Sequence, residues 1–245
     1  MNEWFEEWFE SPEYLKVYKK RDNIDAEQLV SFICKNLLLV PGIRVLDLAC
    51  GAGRHAILFA ERGFEVIGVD LSKNLLEVAL KNVEESKLNI NFIRSDIRNF
   101  MHNEKFDLIV NLFTSFGYFR NDEENFVIFK KASEMLKPEG FFVFDYFNSV
   151  YLKENLIPYS CDEFDNFSVE QFRSIVNYRV EKKIVVSDGC ESKTYSESVK
   201  LYSPAELLIH LNNMGFDKIG LYGDYKGSIF DEKKSQRFLA ICQKQ

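Results

Sequence analysis

The run Val45-Leu46-Asp47-Leu48-Ala49-Cys50-Gly51-Ala52-Gly53 constrains this 245-residue chain more than any other stretch of it. Residues 43–48 are short, apolar and β-branched at Ile43 and Val45, and Pro41-Gly42 sets them off, so they predict a buried strand. Cys50 to Gly53 follows as a tight turn, and 54–62 reads as a helix stopped by Gly63. Glycines at a strand–helix junction let the backbone pass close to a ligand and leave helix N-terminal amides free to meet it. A Gly-x-Gly turn alone is weak evidence. Its weight comes from what the next strands carry at their ends.

The pattern then repeats. Strands are predicted at 64–70, 90–93, 106–113 and 141–147, with helices opened by Ser72 and by Asn121, which has Glu124 three residues on. Continuous apolar strands alternating with helices mean a parallel sheet covered on both faces. The rhythm changes near residue 150. Stretches 167–177, 179–187 and 192–201 are β-rich with no helix between them, so an antiparallel insertion is expected there. Ser203-Pro204-Ala205-Glu206 is a capping box for a helix ending at Gly215, and strands at 218–225 and 237–243 close the chain. Ahead of the sheet, Ser11-Pro12 starts one helix and 22–39 has helical apolar spacing. The fold expected is α/β: a doubly wound, seven-stranded, mostly parallel Rossmann-like sheet with an antiparallel β insertion. Four segments follow: an N-terminal helical lid or cap at 1–40, a ligand-binding core at 41–149, the insertion at 150–202, and a C-terminal helix and strand pair at 203–245.

Charge and cysteine usage exclude several roles. The formal net charge is −7, and an acidic surface repels phosphate backbones, so nucleic acid is disfavoured as a partner outside one local basic patch. Lys16, Lys19, Lys20 and Arg21 read as a solvated face rather than such a patch. No apolar run approaches the roughly 18 residues that span a bilayer, and the acidic start is unlike a signal peptide, so no membrane partner is expected. Five scattered cysteines without a CxxC suit reduced thiols in a cytoplasm and no metal site.

The strand ends supply the chemistry. Asp70 ends the second strand, 17 residues past Gly53, where a carboxylate can accept both hydroxyls of a ribose. Asp96 ends the third strand beside Ile97, where an acid can accept from an adenine amine while a backbone amide meets a ring nitrogen. These features resemble the class I S-adenosylmethionine-dependent methyltransferases over residues 45–148. The strings Cys50-Gly51-Ala52-Gly53-Arg54-His55-Ala56 and Asn111-Leu112-Phe113-Thr114-Ser115-Phe116-Gly117-Tyr118-Phe119 look like a bacterial small-molecule subgroup. The resemblance implies S-adenosylmethionine as cofactor, with Asp47 holding the methionine moiety and Ala49, Gly51 and Gly53 passing beneath the ligand. Asp70 with Leu71 would take the ribose, Asp96 and Ile97 the adenine, and Asn111 with Leu112 would lie beside the sulfonium. One departure is that Ala49 stands where the usual pattern has its first glycine.

Trp4-Phe5-Glu6-Glu7-Trp8-Phe9, Tyr14 and Tyr18 form either a lid, with Tyr18 reaching the cofactor, or a helix packed on the sheet edge. Tyr118, Asp145 and Asn148 are the candidate catalytic residues, at the fourth and fifth strand ends where an acceptor would sit. His55 reads as packing beside the cofactor. The function expected is methyl transfer to an oxygen or nitrogen atom of a small-molecule acceptor. Two rivals stay open: an NAD-dependent oxidoreductase, since Gly51-x-Gly53-x-x-Ala56 with Asp70 also matches a dinucleotide fingerprint, and a protein that binds S-adenosylmethionine without turning it over. Asp47, Asp96 and the antiparallel end weigh against the first. A homodimer is left open.

Overall fold

The computed structural model describes residues 3–18, 23–86, 88, 90–189 and 191–245. Lys19, Lys20 and Arg21 of the basic stretch, Asp22 at the expected helix start and Cys190 lie outside the described residues.

Seven strands build the main sheet: β1 (Arg44–Leu48), β2 (Glu65–Asp70), β3 (Ile90–Arg94), β4 (Phe106–Asn111), β5 (Leu136–Phe147), β10 (Phe216–Tyr222) and β11 (Arg237–Lys244), in the order β10-β11-β5-β4-β1-β2-β3. The first five are parallel, while β11 runs antiparallel to both β5 and β10. The core strands β1 and β4 are buried almost throughout, as a sheet sandwiched between helices requires. Helices α3 (Asn23–Asn36), α4 (Arg54–Glu61) and α5 (Lys73–Ser86) lie with β1–β3, and α6 (Asp122–Met135) packs on α8 (Pro204–Asn213). The two faces have separate cores. Leu29, Ile33, Phe59 and Val110 sit in one, and Phe116, Phe129, Phe142 and Tyr146 in the other.

Local signals in the sequence set the helix ends. The Ser11 hydroxyl accepts from the Tyr14 amide at 3.2 Å, opening α2 (Pro12–Val17). Asn121 accepts from the Glu124 amide at 2.7 Å, and the Ser203/Glu206 capping box is complete in both directions. Sheet topology, the antiparallel end and the insertion are all as expected.

The insertion holds more than the sequence indicated. It begins with a short helix, α7 (Ser149–Glu154), and its sheet has four strands, β6 (Tyr159–Phe164), β7 (Phe167–Val176), β8 (Arg179–Ser187) and β9 (Ser192–Lys200), rather than three. An additional helix, α1 (Trp4–Glu10), precedes α2. Trp8 and Val17 of these helices pack on Val169, Ile184 and Val186 of the insertion sheet. The fourth strand is shorter than expected, ending at Asn111, because Phe113 and Thr114 both turn left-handed (φ 55° and 63°). Among the described residues, no helix is long and apolar enough to cross a membrane.

Candidate active site

The turn after β1 is shaped by two left-handed glycines and an alanine in the same region. Ala49 has φ 61°, Gly51 φ 56° and Gly53 φ 78°. The position where the family pattern has glycine is therefore one that favours glycine, and Ala49 occupies it at a cost of roughly 1–2 kcal/mol. The two glycines differ in purpose. A Cβ on Gly53 would stand 2.8 Å from the Phe92 ring and 3.0 Å from the Ala79 Cβ, so Gly53 lets α4 close on its neighbours. A Cβ on Gly51 would meet only Leu75, at 3.9 Å, on the side where a cavity opens.

That cavity, about 270 Å³, lies over the turn and is bordered by Ala49, Gly51, His55, Asp70, Leu112 and Phe113. Tyr14, Tyr18 and Phe9 close it from the N-terminal helices. Asp70 is held by its own neighbourhood, accepting from the amides of Gly51 at 2.7 Å and Ser72 at 2.9 Å. Burial pushes its carboxyl up, and these amides oppose the shift. A smaller cleft continues from Asp70 and Leu71 to Asp96, Ile97, Gly117 and Phe119, under Phe5 and Phe9. It is mostly apolar, with Asp70 and Asp96 as its two acids, and such a cleft suits a flat ring with polar edges. Burial raises the Asp96 carboxyl, but the fork of Arg98, with Nη2 at 2.6 Å, outweighs it and holds the group below its usual range.

Three buried polar atoms beneath the turn have no hydrogen-bond partner: Asp47 Oδ2, His55 Nε2 and Asn111 Oδ1. Burial, then the charge of Asp70, pushes the Asp47 carboxyl up to about 8. Burial, then Arg54, pushes His55 down to about 3, so its imidazole is neutral. Asn111 donates to the carbonyl of Leu48 at 2.9 Å, which leaves its oxygen unused. Unsatisfied buried groups are costly, so a cluster of them beside a cavity marks a place for a polar ligand. A zwitterionic amino-acid tail, with an ammonium and a carboxylate, fits that set. The sequence marked Asp47 and Asn111; His55 was read as packing, and only its orphaned nitrogen in three dimensions distinguishes it.

A second cavity, about 340 Å³, adjoins the first across Tyr118 and Phe113. Its walls come from α1, from α7 and the segment after it (Leu152 and Leu156), and from the insertion sheet through Arg173, Lys182 and Glu197. Tyr118 borders both cavities and the cleft, and donates to the Thr114 carbonyl at 2.8 Å.

The structure gives the other two catalytic candidates different work. Asp145 is fully buried; it pairs with Arg237 at 2.9 Å, and accepts from the Phe113 amide at 2.8 Å and the Tyr225 hydroxyl at 3.0 Å. Asn148 is fully buried as the N-cap of α7, and its amide donates to the carbonyls of Glu232 and Ser235 at 2.7 and 2.8 Å. Neither group opens onto the second cavity; each holds up a wall of it.

Known proteins with the same features fall in one group. Residues 45–140 match a family model described as a methyltransferase domain. A putative methyltransferase, YqeM of Bacillus subtilis, is 38% identical over 112 residues, covering 45% of each chain. A dTDP-3-amino-3,4,6-trideoxy-alpha-D-glucopyranose N,N-dimethyltransferase of Streptomyces venezuelae is 32% identical over 39% of each chain. The matched part thus spans less than half the length of these relatives. Over nearly the whole chain, the fold matches an S-adenosylmethionine-dependent methyltransferase from Clostridium acetobutylicum, with a TM-score of 0.84 at 23% identity, covering 95% of this chain and 98% of that one. The CcbJ methyltransferase of Streptomyces caelestis matches with a TM-score of 0.82 at 18% identity, covering 97% of each. Residues 45–140 thus match the methyltransferase-domain family, and the whole chain has the fold of the S-adenosylmethionine-dependent methyltransferases.

Proposed function

We propose that this protein transfers a methyl group from S-adenosylmethionine to an oxygen or nitrogen atom of a small acceptor. The observation that carries this reading is the pair of adjoining cavities sharing Tyr118, one edged by Asp70 and by His55 with its orphaned nitrogen, the other walled in part by the insertion. In this reading, residues 41–149 bind the cofactor, 1–40 cover it, 150–202 shape the acceptor pocket, and 203–245 complete the sheet.

When bound, S-adenosylmethionine supplies a methyl group already activated on a sulfonium. The protein's task is then to orient the partners and exclude water. Asp70, with Leu71 beside it, takes the ribose hydroxyls, and Asp96 with Ile97 takes the adenine. Asp47, His55 and Asn111 meet the amino-acid tail, with Ala49, Gly51 and Gly53 passing beneath and Leu112 alongside. Phe9, Tyr14, Tyr18, Phe113 and Tyr118 line the same cavity, and their π faces would favour a cationic sulfonium held there. Tyr118 orients the acceptor where the cavities meet. Asp145 and Asn148 hold the pocket wall, and no proton transfer is assigned to them.

A second cavity of about 340 Å³ suits a small molecule rather than a polymer. The related dTDP-amino-sugar dimethyltransferase supports that class of acceptor. Cys34, Cys50, Cys161 and Cys242 are free, which suits a reducing cytoplasm.

Calorimetry tests the reading. S-adenosylhomocysteine should bind in the micromolar range and NAD should not. Tight NAD binding with both sulfur ligands failing would return the protein to the oxidoreductases. S-adenosylmethionine bound but never consumed, across amine and hydroxyl acceptors, would leave it a binding protein.

A further inference from the structure

One charge in the second cavity has no answer. Three cations border it, namely Arg173, Lys182 and Arg237. Arg237 is answered by the buried Asp145 at 2.9 Å. Lys182 is answered by Glu197 at 2.7 Å, and Glu197 also accepts from Trp8 at 2.8 Å and from Tyr18. Arg173 has only neutral partners among the described residues: the Ser160 hydroxyl at 3.0 Å, the Gln171 side-chain oxygen at 2.7 Å and the Ile157 carbonyl at 3.4 Å.

The register sharpens the point. Arg173 on β7 stands directly opposite Lys182 on β8, which stands opposite Glu197 on β9. Like charges directly opposite one another destabilise a sheet. Two cations and one carboxylate therefore share one row, on the pocket wall of a protein whose net charge is −7. The neutral partners hold the guanidinium through Nη1 and one Nη2 hydrogen. They leave Nε without a partner among the described residues, so the guanidinium can still donate to the oxygens of an acid.

We propose that the methyl acceptor is an acid: a small molecule with an apolar or aromatic body and a carboxylate or phosphate group, the anion held by Arg173 with Lys182 beside it. The aromatic part of the wall, Trp4, Phe113 and Phe147, accommodates the body. An acidic protein repels such a molecule at long range, so a locally cationic pocket is what retains it. The proposal rests on the methyl-transfer reading for the identity of the ligand as acceptor, but the anion site itself can be measured without it.

Benzoate, phenyl phosphate and benzamide serve as probes, titrated by calorimetry into the full chain with and without saturating S-adenosylhomocysteine. At least one anion should bind roughly tenfold or more tightly than benzamide, as charge-assisted hydrogen bonds imply, and the stronger of the two names the group. Arg173→Gln should erase the preference and Arg173→Lys should keep part of it, both with unchanged S-adenosylhomocysteine affinity. Benzamide binding as well as both anions, no binding of either anion, or a preference surviving in Arg173→Gln would overturn the proposal. An anion preference that depends on Arg173 in a protein that takes no S-adenosylhomocysteine would keep the anion site and sink methyl transfer instead.

Discussion

The indole of Trp8 donates to Glu197 across 2.8 Å, joining the first helix of the chain to the last strand of the insertion. Glu197 also accepts from the Tyr18 hydroxyl, and Glu13 of α2 binds Lys193 and Tyr195 of the same strand, each at 2.8 Å. On its other side α1 reaches the core. Glu10 accepts from the amides of Lys73 and Asn74, at 2.7 and 3.1 Å, at the start of α5, where a helix N-terminus favours a carboxylate. The two N-terminal helices therefore bridge the insertion and the start of α5, with Phe5 and Phe9 over the cleft that runs from Asp70 to Asp96. The segment packs on the insertion sheet, and Phe9, Tyr14 and Tyr18 border the first cavity.

Deleting residues 1–20 should leave a cooperatively folding main sheet, since the two large cores are built without that segment. S-adenosylhomocysteine affinity should fall by about tenfold or more, because the aromatic cover of both ligand cavities goes with it. Calorimetry on the truncated protein checks this. Affinity equal to that of the full chain would reduce the segment to a cover for the insertion sheet.

Gly51 and Gly53 should respond differently to one methyl group. Gly53→Ala drives a Cβ to 2.8 Å from Phe92 at φ 78°, so stability should fall, by about 1–3 kcal/mol as overpacking typically costs. Gly51→Ala meets only Leu75 at 3.9 Å, so it should lose little beyond the left-handed strain of roughly 1–2 kcal/mol. Its methyl enters the space assigned to the cofactor, and S-adenosylhomocysteine binding should drop sharply. Urea unfolding paired with calorimetry separates the two effects; equal loss of affinity at equal stability in both variants would contradict the division of roles.

The residues that were legible in the sequence are those whose signal is local. Asp47, Asp70 and Asp96 each lie within two residues of a strand end, and a strand end can be read from a short apolar run and the turn after it. Ser203 with Glu206, and Ser11 with Pro12, announce helices within four residues or fewer. The anion-facing Arg173 was not legible. Its meaning depends on which residue stands opposite it on β8 and on what Glu197 is already holding, and neither is a property of neighbouring positions. The partner of Asp145 was not legible for the same reason: its place at the end of β5 suggested a base, and the Arg237 that pairs with it comes 92 positions later. The helix α1 did carry a signal, since Trp4 and Trp8, like Phe5 and Phe9, stand four apart on one face.

Asp47 predicts a pH dependence of its own sign. Its folded pKa, about 8, lies above the ordinary carboxyl value of 3.8, so the folded protein holds a proton there that the unfolded chain releases. That contribution is complete below pH 4 and is lost as pH rises towards 8. His55 runs the other way: its folded pKa of about 3 lies below 6.5, so its contribution is complete above pH 6.5 and lost on acidification. The two oppose each other between pH 4 and 6.5. From pH 6.5 to 8 the falling Asp47 contribution is unopposed by His55. Stability without ligand should therefore fall over that interval, by up to about 1.4 kcal/mol per pH unit for one group. Asp47→Asn should flatten the fall and weaken S-adenosylhomocysteine binding. Urea melts at pH 6.5 and 8.0 decide; a parent protein equally stable at both would mean that Asp47 is ionised throughout.

Asp145 is the place where a structural role and a catalytic role predict opposite experiments. Its carboxylate accepts from the Phe113 amide, its carbonyl accepts from the Thr114 amide at 3.1 Å, and its partner Arg237 donates to the Thr114 hydroxyl at 2.9 Å. Phe113 and Thr114 are the two consecutive left-handed residues on the wall between the cavities, so the ion pair holds a backbone conformation that would otherwise relax. Asp145→Asn keeps the shape and removes the charge that answers Arg237. Breaking a buried pair in this way costs about 3–5 kcal/mol, so the variant should unfold at markedly lower urea. Below its melting range it should still transfer methyl groups, more slowly, with the pH–rate profile of the parent unchanged. A proton acceptor would behave otherwise: stability would be kept, turnover would vanish, and any rising limb of the profile would go with it. A stable but inert Asp145→Asn protein would therefore return this residue to the chemistry.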